Sequence, residues 1–139
     1  MKLPVAGILL LCTVFAAPAA AQNPMRDGQW ETTVQMSMAN MPMQMPPMKG
    51  TRCVTAEEVK DPNRSLPTGP DQPSCKVSDY KAEGNKVTWK VACSNPQKMT
   101  GSGELVFTDD TYTGTAKMSM DMGEMTMKYT GKRLGDCKK

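Results

Sequence analysis

Apolar and polar side chains alternate along most of this 139-residue chain, and that period of two restricts the fold to β-sheet. In residues 28–38, Trp30 and Val34 share one side of the pattern. Glu31 and Gln35 lie on the other side. Successive side chains of a strand point to opposite faces, so this segment predicts a strand with one buried face. The same reasoning predicts about seven strands, at residues 28–38, 48–54, 75–82, 86–93, 99–108, 111–121 and 124–134.

One short helix is predicted between the second and third strands. Thr55 is a good N-cap residue, and the acidic pair Glu57-Glu58 follows it in the first turn. Pro62 should end the helix. We therefore expect a mainly β fold, in which antiparallel-rich strands form a curled sheet or a small barrel with one short helix.

The first 21 residues have the pattern of a secretory signal peptide. Lys2 precedes an apolar run over residues 3–17, and Ala19 and Ala21 form a small-residue cleavage site. We expect cleavage near Ala21, which leaves a single domain over residues 22–139 with no transmembrane segment. The expected location is periplasmic or secreted.

A lipoprotein anchored at Cys12 is the alternative to a cleaved signal. Leu11 stands immediately before that cysteine, where a lipobox requires a small residue. The cleaved signal is therefore the favoured interpretation.

Charge argues against a nucleic-acid partner. The formal net charge is only +3, and one of those charges belongs to Lys2 in the signal segment. The remaining basic residues are scattered among threonines and acids from Arg26 to Lys139, which is typical of a solvated face rather than a basic stripe. We expect a monomer that does not bind nucleic acid.

Cysteines outside the signal segment predict two structural disulfides, because thiols oxidise in an exported protein. A zinc site is excluded by the spacing and by the absence of histidine from the sequence. Four cysteines can form two disulfides in three ways, and the sequence alone does not decide among them. If the helical link crosses over rather than reversing the chain, Cys75 and Cys93 share one end of the sheet while Cys53 and Cys137 share the other. That topology favours the pairs Cys75–Cys93 and Cys53–Cys137.

Fourteen methionines are an unusually large number for a chain of this size. Six of them fall on strand faces that also carry tryptophan, valine and tyrosine, and we expect these to form part of the core, because methionine fills irregular gaps. They are Met36, Met38, Met118, Met120, Met125 and Met127.

A second group of methionines lies in a proline-rich segment, where a regular strand is hard to maintain. Met41, Met43 and Met45 have the M-x-M spacing of periplasmic copper-handling proteins, and thioethers are ligands that Cu(I) prefers. We therefore predict a non-enzymatic binding protein with a possible Cu(I) or Ag(I) site at these residues, joined by Met48 and Met122. The alternatives are a binder of apolar ligands or peptides through a methionine-lined end, and a structural envelope protein without a small ligand.

No catalytic machinery is evident in the sequence. Without histidine, and with the cysteines oxidised, the usual nucleophile and base pairs are missing. Asp109-Asp110 is expected to be a turn between strands, and Glu57-Glu58 the first turn of a helix. The chain is therefore not expected to be an enzyme.

Several segments together resemble the bacterial secreted family called domain of unknown function 3617. The resemblance covers almost the whole mature chain and its cysteine framework. It implies a Gram-negative periplasmic or secreted protein and brings no established activity or catalytic residues. The segments that carry it are Gly28-Gln29-Trp30-Glu31, the methionine-proline run through Pro47, Cys53-Val54-Thr55, Cys75-Lys76-Val77 and the closing residues 131–137.

Overall fold

The computed structural model of the protein describes residues 23–41, 45–66 and 74–138. The predicted signal segment therefore lies outside the described residues, as does Met43 of the predicted metal set. Within the described ranges the chain forms seven strands and two short helices. In chain order these are β1 (Gly28–Met38), β2 (Met48–Val54), α1 (Ala56–Lys60), α2 (Pro62–Ser65), β3 (Cys75–Glu83), β4 (Lys86–Cys93), β5 (Met99–Thr108), β6 (Thr111–Met120) and β7 (Gly123–Gly135).

All seven strands belong to one antiparallel sheet, in the order β2-β1-β7-β6-β5-β4-β3. The consecutive strands β2 and β3 occupy opposite edges, and the segment containing α1 and α2 connects them. The predicted crossover and the predicted mainly β fold are therefore confirmed. Of the two predicted forms, the curled sheet is the one observed, because the sheet does not close into a barrel.

Two disulfides connect the strands at opposite ends of this sheet. Cys53–Cys137 joins the end of β2 to the segment after β7, with 5.4 Å between the Cα atoms. Cys75–Cys93 joins the start of β3 to the end of β4, with 4.0 Å between the Cα atoms. The predicted pairing is confirmed.

The helical link differs from the prediction by one element. Thr55 caps α1 as expected, and Glu58 completes a capping box with it. The predicted end of the first helix before Pro62 is confirmed, but Pro62 also begins a second helix, α2, which Asp61 caps through its side chain. Proline suits the first position of a helix, since the N–H group that it lacks would have no partner there.

Glu58 connects this link to the sheet. Its carboxylate accepts a hydrogen bond from the Thr55 N–H (2.9 Å), which holds the pKa of Glu58 below its ordinary value. Arg52 on β2 also donates to it (3.2 Å) and lowers the pKa further. On the other side of the link, Asn63 accepts a hydrogen bond from the Val77 N–H of β3 (3.0 Å). The helices therefore bridge the two edges of the open sheet.

Strong curvature gives this single sheet an interior. Trp30 on β1 and Phe107 on β5 have ring centroids 6.5 Å apart, although two strands separate them in the sheet. In a flat sheet three strand spacings would put them about 14 Å apart. The inner face therefore folds onto itself, and its side chains form the core.

One end of the curled sheet is covered. This capped end, where β1 begins and β2 ends, carries both helices and the segment of residues 23–27. Asn23 donates to the Val59 carbonyl of α1 (2.9 Å), and Arg26 accepts a hydrogen bond from the Trp30 indole through its own carbonyl (2.9 Å). Met25 between them is buried. The other end, where β1 ends and β2 begins, is called the methionine end below.

Neither helix in the described ranges has the length or apolar character needed to cross a membrane.

Candidate functional site: a methionine-lined cavity

Inward-facing residues change character along the length of the sheet. Near the capped end the inner face carries Trp30, Phe107 and Tyr112, whose rings pack against one another at centroid distances of 5.4 to 6.5 Å. Toward the methionine end, methionines occupy the same face. Met36 lies directly opposite Met127, and Met125 lies between Met38 and Met118 in one row across three strands. Opposed residues of this kind are about 5 Å apart at Cβ, so these thioethers are close neighbours.

These side chains leave a cavity of about 230 Å³ within the curl. Every strand contributes to its wall, including both edge strands, through Met48 of β2 and Cys75 of β3. None of the residues that line the cavity is charged. The methionines in the wall are Met36, Met48, Met99, Met118, Met125 and Met127.

The other residues of the cavity wall are conformationally restricted. Val34 and Val91 are stiff β-branched residues, and the Cys75–Cys93 disulfide joins two neighbouring strands where they reach the cavity. Tyr129 donates a hydrogen bond from its hydroxyl to the Met127 sulfur (3.2 Å). Burial, with a contribution from Tyr112, raises the pKa of Tyr129 to about 12. The tyrosine is therefore a neutral donor at physiological pH, and it orients one thioether.

The two hairpin tips that carry the predicted metal ligands lie side by side. The Ala39 N–H, just after β1, donates to the Glu124 carbonyl at the start of β7 (3.2 Å). The ends of the β1–β2 and β6–β7 hairpins are therefore adjacent. At this end the exposed fractions are 61% for Met41, 39% for Met45 and 71% for Met122.

Met48 belongs both to the methionines that line the cavity and to the exposed methionines at this end. It is 53% exposed, and it also forms part of the cavity wall opposite Val34. It therefore lies at the rim, between solvent and the interior. The exposed set Met41, Met45, Met48 and Met122 is named the rim methionines below.

Sequence reasoning did not assign Met99, Tyr129 or the Cys75–Cys93 disulfide to a binding site. Met99 begins β5 and pairs with Cys93 and Met120, so register places it at the cavity. The signal was present in the alternation of β5, which puts Met99, Gly101 and Gly103 on one face. Alternation shows which face is inward, but it does not show that the face encloses a cavity.

The acidic pairs have the structural roles predicted for them. Asp109 and Asp110 form the turn between β5 and β6, where Asp109 has a positive φ of 49° and Asp110 forms an ion pair with Arg26. Glu57 and Glu58 lie in the first turn of α1. Within residues 23–41, 45–66 and 74–138, no three His, Cys, Asp or Glu side chains are grouped so that they could hold a metal ion.

Comparison with curated proteins found no match to the chain, and comparison with solved structures found none. A family model does match, over residues 25–137. Those residues span all seven strands, both helices and all four disulfide cysteines. The chain therefore belongs to the family described as "Protein of unknown function (DUF3617)".

Proposed function

We propose that the protein is a non-enzymatic binding protein that takes up a small apolar molecule in the methionine-lined cavity. The observation that carries the proposal is the wall itself, to which seven strands contribute uncharged side chains and in which thioethers predominate. Apolar groups transferred from water into such a wall gain about 25 cal/mol per Å² of buried surface.

The cavity volume limits the size of the ligand. At about 230 Å³ it is larger than the roughly 150 Å³ cavity that holds benzene in other proteins. It is smaller than the roughly 300 Å³ at which pockets for drug-sized ligands begin. A single aromatic ring or a short aliphatic chain is therefore the ligand class that we propose.

Methionine suits this role because its side chain is unbranched and has a polarisable sulfur, so it adapts to ligands of different shape. Met36, Met125 and Met127 are only partly buried, which leaves their side chains room to move. Met48 at the rim is exposed enough to swing aside when a ligand enters.

The test uses the neutral probe toluene, measured by ligand-observed NMR and by the rise in melting temperature. Met48→Arg places a charge at the rim and should weaken binding at least tenfold. Met122→Arg is the matched control, because Met122 is exposed at the same end but does not line the cavity, and it should leave affinity unchanged. Absence of toluene binding, or equal loss in both variants, would show that the cavity is only a packing defect.

A soft-metal site is the second candidate function. Met41, Met43 and Met45, joined by Met48 and Met122, would bind Cu(I) or Ag(I) through thioether sulfur. The observation that favours this site is the exposure of the rim methionines on two hairpins that hydrogen-bond to each other at Ala39.

Replacing methionine by leucine separates the two functions, because leucine keeps the apolar volume and removes the sulfur. The triple variant Met41→Leu, Met43→Leu and Met45→Leu should lose Cu(I) in competition with a chelator while still binding toluene. The matched control is Met125→Leu, which changes the cavity wall alone. Unchanged Cu(I) uptake in the triple variant would refute the rim site.

The same proposal includes export. We infer that the chain is cleaved near Ala21 and resides in the periplasm or is secreted, because its two disulfides need an oxidising compartment. Mass spectrometry of the exported protein should give an N-terminus at Gln22. A lipid-modified Cys12 would instead establish the lipoprotein form.

A further inference from the structure

Methionine sulfur is the group of this fold that is open to mild oxidation. Within the described residues all four cysteines are held in the disulfides Cys53–Cys137 and Cys75–Cys93, so no thiol there competes with a thioether for an oxidant. Peroxides convert methionine to methionine sulfoxide, which is polar and which reductases return to methionine. The exposure of each thioether then decides which methionines react.

Exposure divides the methionines into two classes. The rim methionines are 39% to 71% exposed, whereas Met118 in the cavity wall is only 5% exposed. Met127 is further shielded, because one lone pair of its sulfur accepts the hydrogen bond from Tyr129 (3.2 Å). A peroxide dissolved in water should therefore reach the rim methionines first.

Among the described rim methionines, Met48 is the one that also lines the cavity. It lies on edge strand β2, with Val34 of β1 opposite it and no strand on its other side. The next residue of β2 on the same face is Gly50, where an added Cβ would meet nothing within 4 Å. The Met48 side chain can therefore leave the wall without displacing another side chain.

A sulfoxide at Met48 would not suit the cavity wall. Its oxygen is a strong hydrogen-bond acceptor, and an acceptor placed in an apolar wall without a donor is unfavourable. Tyr129 is the one residue described in the wall that has a side-chain hydroxyl, and this hydroxyl already donates to Met127. The oxidised side chain should therefore turn toward water, which opens the cavity to solvent and removes apolar surface from its wall.

We propose that Met48 is an oxidation site that controls the methionine-lined cavity. A peroxide transfers one oxygen atom to the Met48 sulfur, so that the thioether is oxidised to the sulfoxide and hydrogen peroxide is reduced to water. This inference rests on the function proposed for the cavity and adds its control. The reduced protein takes up an apolar molecule, and the oxidised protein releases it.

The test treats the full mature protein with hydrogen peroxide for increasing times and stops each reaction with catalase. Peptide mass spectrometry gives the extent of sulfoxide formation at each methionine, and ligand-observed NMR gives the affinity for toluene. Met48 should be oxidised at a rate similar to that of Met41 and Met122, and several times faster than Met118. The affinity for toluene should fall by about three- to tenfold in step with Met48, as expected when one apolar contact is replaced by a polar group.

Met48→Leu keeps an apolar side chain and removes the oxidisable sulfur. Its affinity for toluene should be the same before and after peroxide treatment. Met122→Leu is the matched control, because it removes a more exposed thioether that does not line the cavity. This variant should lose affinity on oxidation as the wild type does.

Met48→Gln gives a readout that needs no peroxide, because glutamine is an uncharged polar side chain of similar length to the sulfoxide. It should weaken toluene binding by about the same three- to tenfold. Met122→Gln, which places the same polar group outside the cavity wall, should not weaken it.

Three results would overturn the proposal, and each has a different meaning. Equal losses of affinity on oxidation of wild type and Met48→Leu would place the effective oxidation at another methionine. Toluene binding that persists after complete oxidation of Met48 would refute the control and leave the proposed cavity function standing. Absence of toluene binding by the reduced protein would refute both.

Discussion

The two ends of the inner face are built on the same strands and pack in opposite ways. At the capped end Trp30, Phe107 and Tyr112 form a tight aromatic cluster, closed by the helices and by buried Met25. At the methionine end flexible side chains surround a cavity of about 230 Å³. One period-two pattern therefore produces a rigid core at one end and an adaptable space at the other.

The difference lies in side-chain shape rather than in the backbone. Aromatic rings are large and have few rotamers, and glycines on the neighbouring strands admit them. Tyr112, for example, lies across Gly131, where an added Cβ would come within 2.0 Å of the ring. Methionine has three rotatable side-chain bonds and specifies packing poorly. The comparison teaches that the same strands can pack tightly at the capped end and still leave a cavity at the methionine end.

Removal of the disulfides should give the largest losses of stability. The loss should be larger for the disulfide at the capped end than for the one at the methionine end. Replacing Cys53 and Cys137 by serine should lower the free energy of unfolding by about 4.5 kcal/mol, and replacing Cys75 and Cys93 by about 3 kcal/mol. The reason is that the bridged residues are 84 and 18 positions apart in sequence, so the first bridge restricts the unfolded chain more. Urea denaturation followed by circular dichroism measures both losses. The reverse order would show that local packing outweighs loop size.

Truncation of one inward-facing side chain at each end tests the packing contrast directly. Trp30→Ala should cost about 3–5 kcal/mol of unfolding free energy, because it leaves a large void in the aromatic cluster. Met125→Ala should cost only about 1–2 kcal/mol, since Met125 is partly exposed and already borders a cavity. Equal losses, measured by the same denaturation, would mean that the methionine end is as rigid as the capped end.

Alkaline pH should weaken the fold through Tyr129, which lies between the two ends. Burial raises its pKa to about 12, so the neutral form is favoured in the folded state. Its stabilising contribution is complete below pH 10, the ordinary pKa, and is lost as the pH rises through about 12. The unfolding free energy measured across this range should fall less in Tyr129→Phe. An identical fall in the variant would assign the alkaline sensitivity to the other buried tyrosines.

The smallest effect is expected at the helix that covers the capped end. Glu58→Gln should lower the unfolding free energy by about 1 kcal/mol at pH 7, because the carboxylate accepts from Thr55 and Arg52. Because its pKa is lowered in the folded protein, this contribution is present above pH 4.5 and is lost as the pH falls through the lowered value. The difference between wild type and variant should therefore shrink in acid.

Exposed Glu57→Gln is the control for this last prediction and should change stability by less than about 0.5 kcal/mol. A pH-independent difference for Glu58→Gln would show that hydrogen bonding, rather than charge, is what the carboxylate contributes.

Most strands could be located from the sequence because alternation is a local property. β1, β2, β4 and β5 begin and end where the pattern predicts. The inward face of β3 could not be predicted over its whole length. A β-bulge at Asp79 and Tyr80, where two residues of β3 lie opposite one residue of β4, shifts the alternation and turns Tyr80 inward.

The candidate site was predicted only in part. Met41, Met45 and Met48 are all exposed, but a metal site formed by them stays a prediction. Met99 could not be assigned to a cavity, because its position depends on how strongly the sheet curls.

The sequence by itself determined the strand faces, the capped helix after Thr55 and, through strand direction, the favoured disulfide pairing. The strand faces follow from the alternation of apolar and polar residues, and the helix start follows from its capping residue, so both depend on residues that are close together in the chain. The disulfide pairing follows from the number of times that the chain reverses direction between the cysteines. Only the tertiary structure decided that the sheet stays open, that both edge strands reach one cavity, and that a β-bulge turns Tyr80 inward. Those features depend on accumulated twist and on side-chain volumes summed over seven strands, which no single stretch of sequence contains.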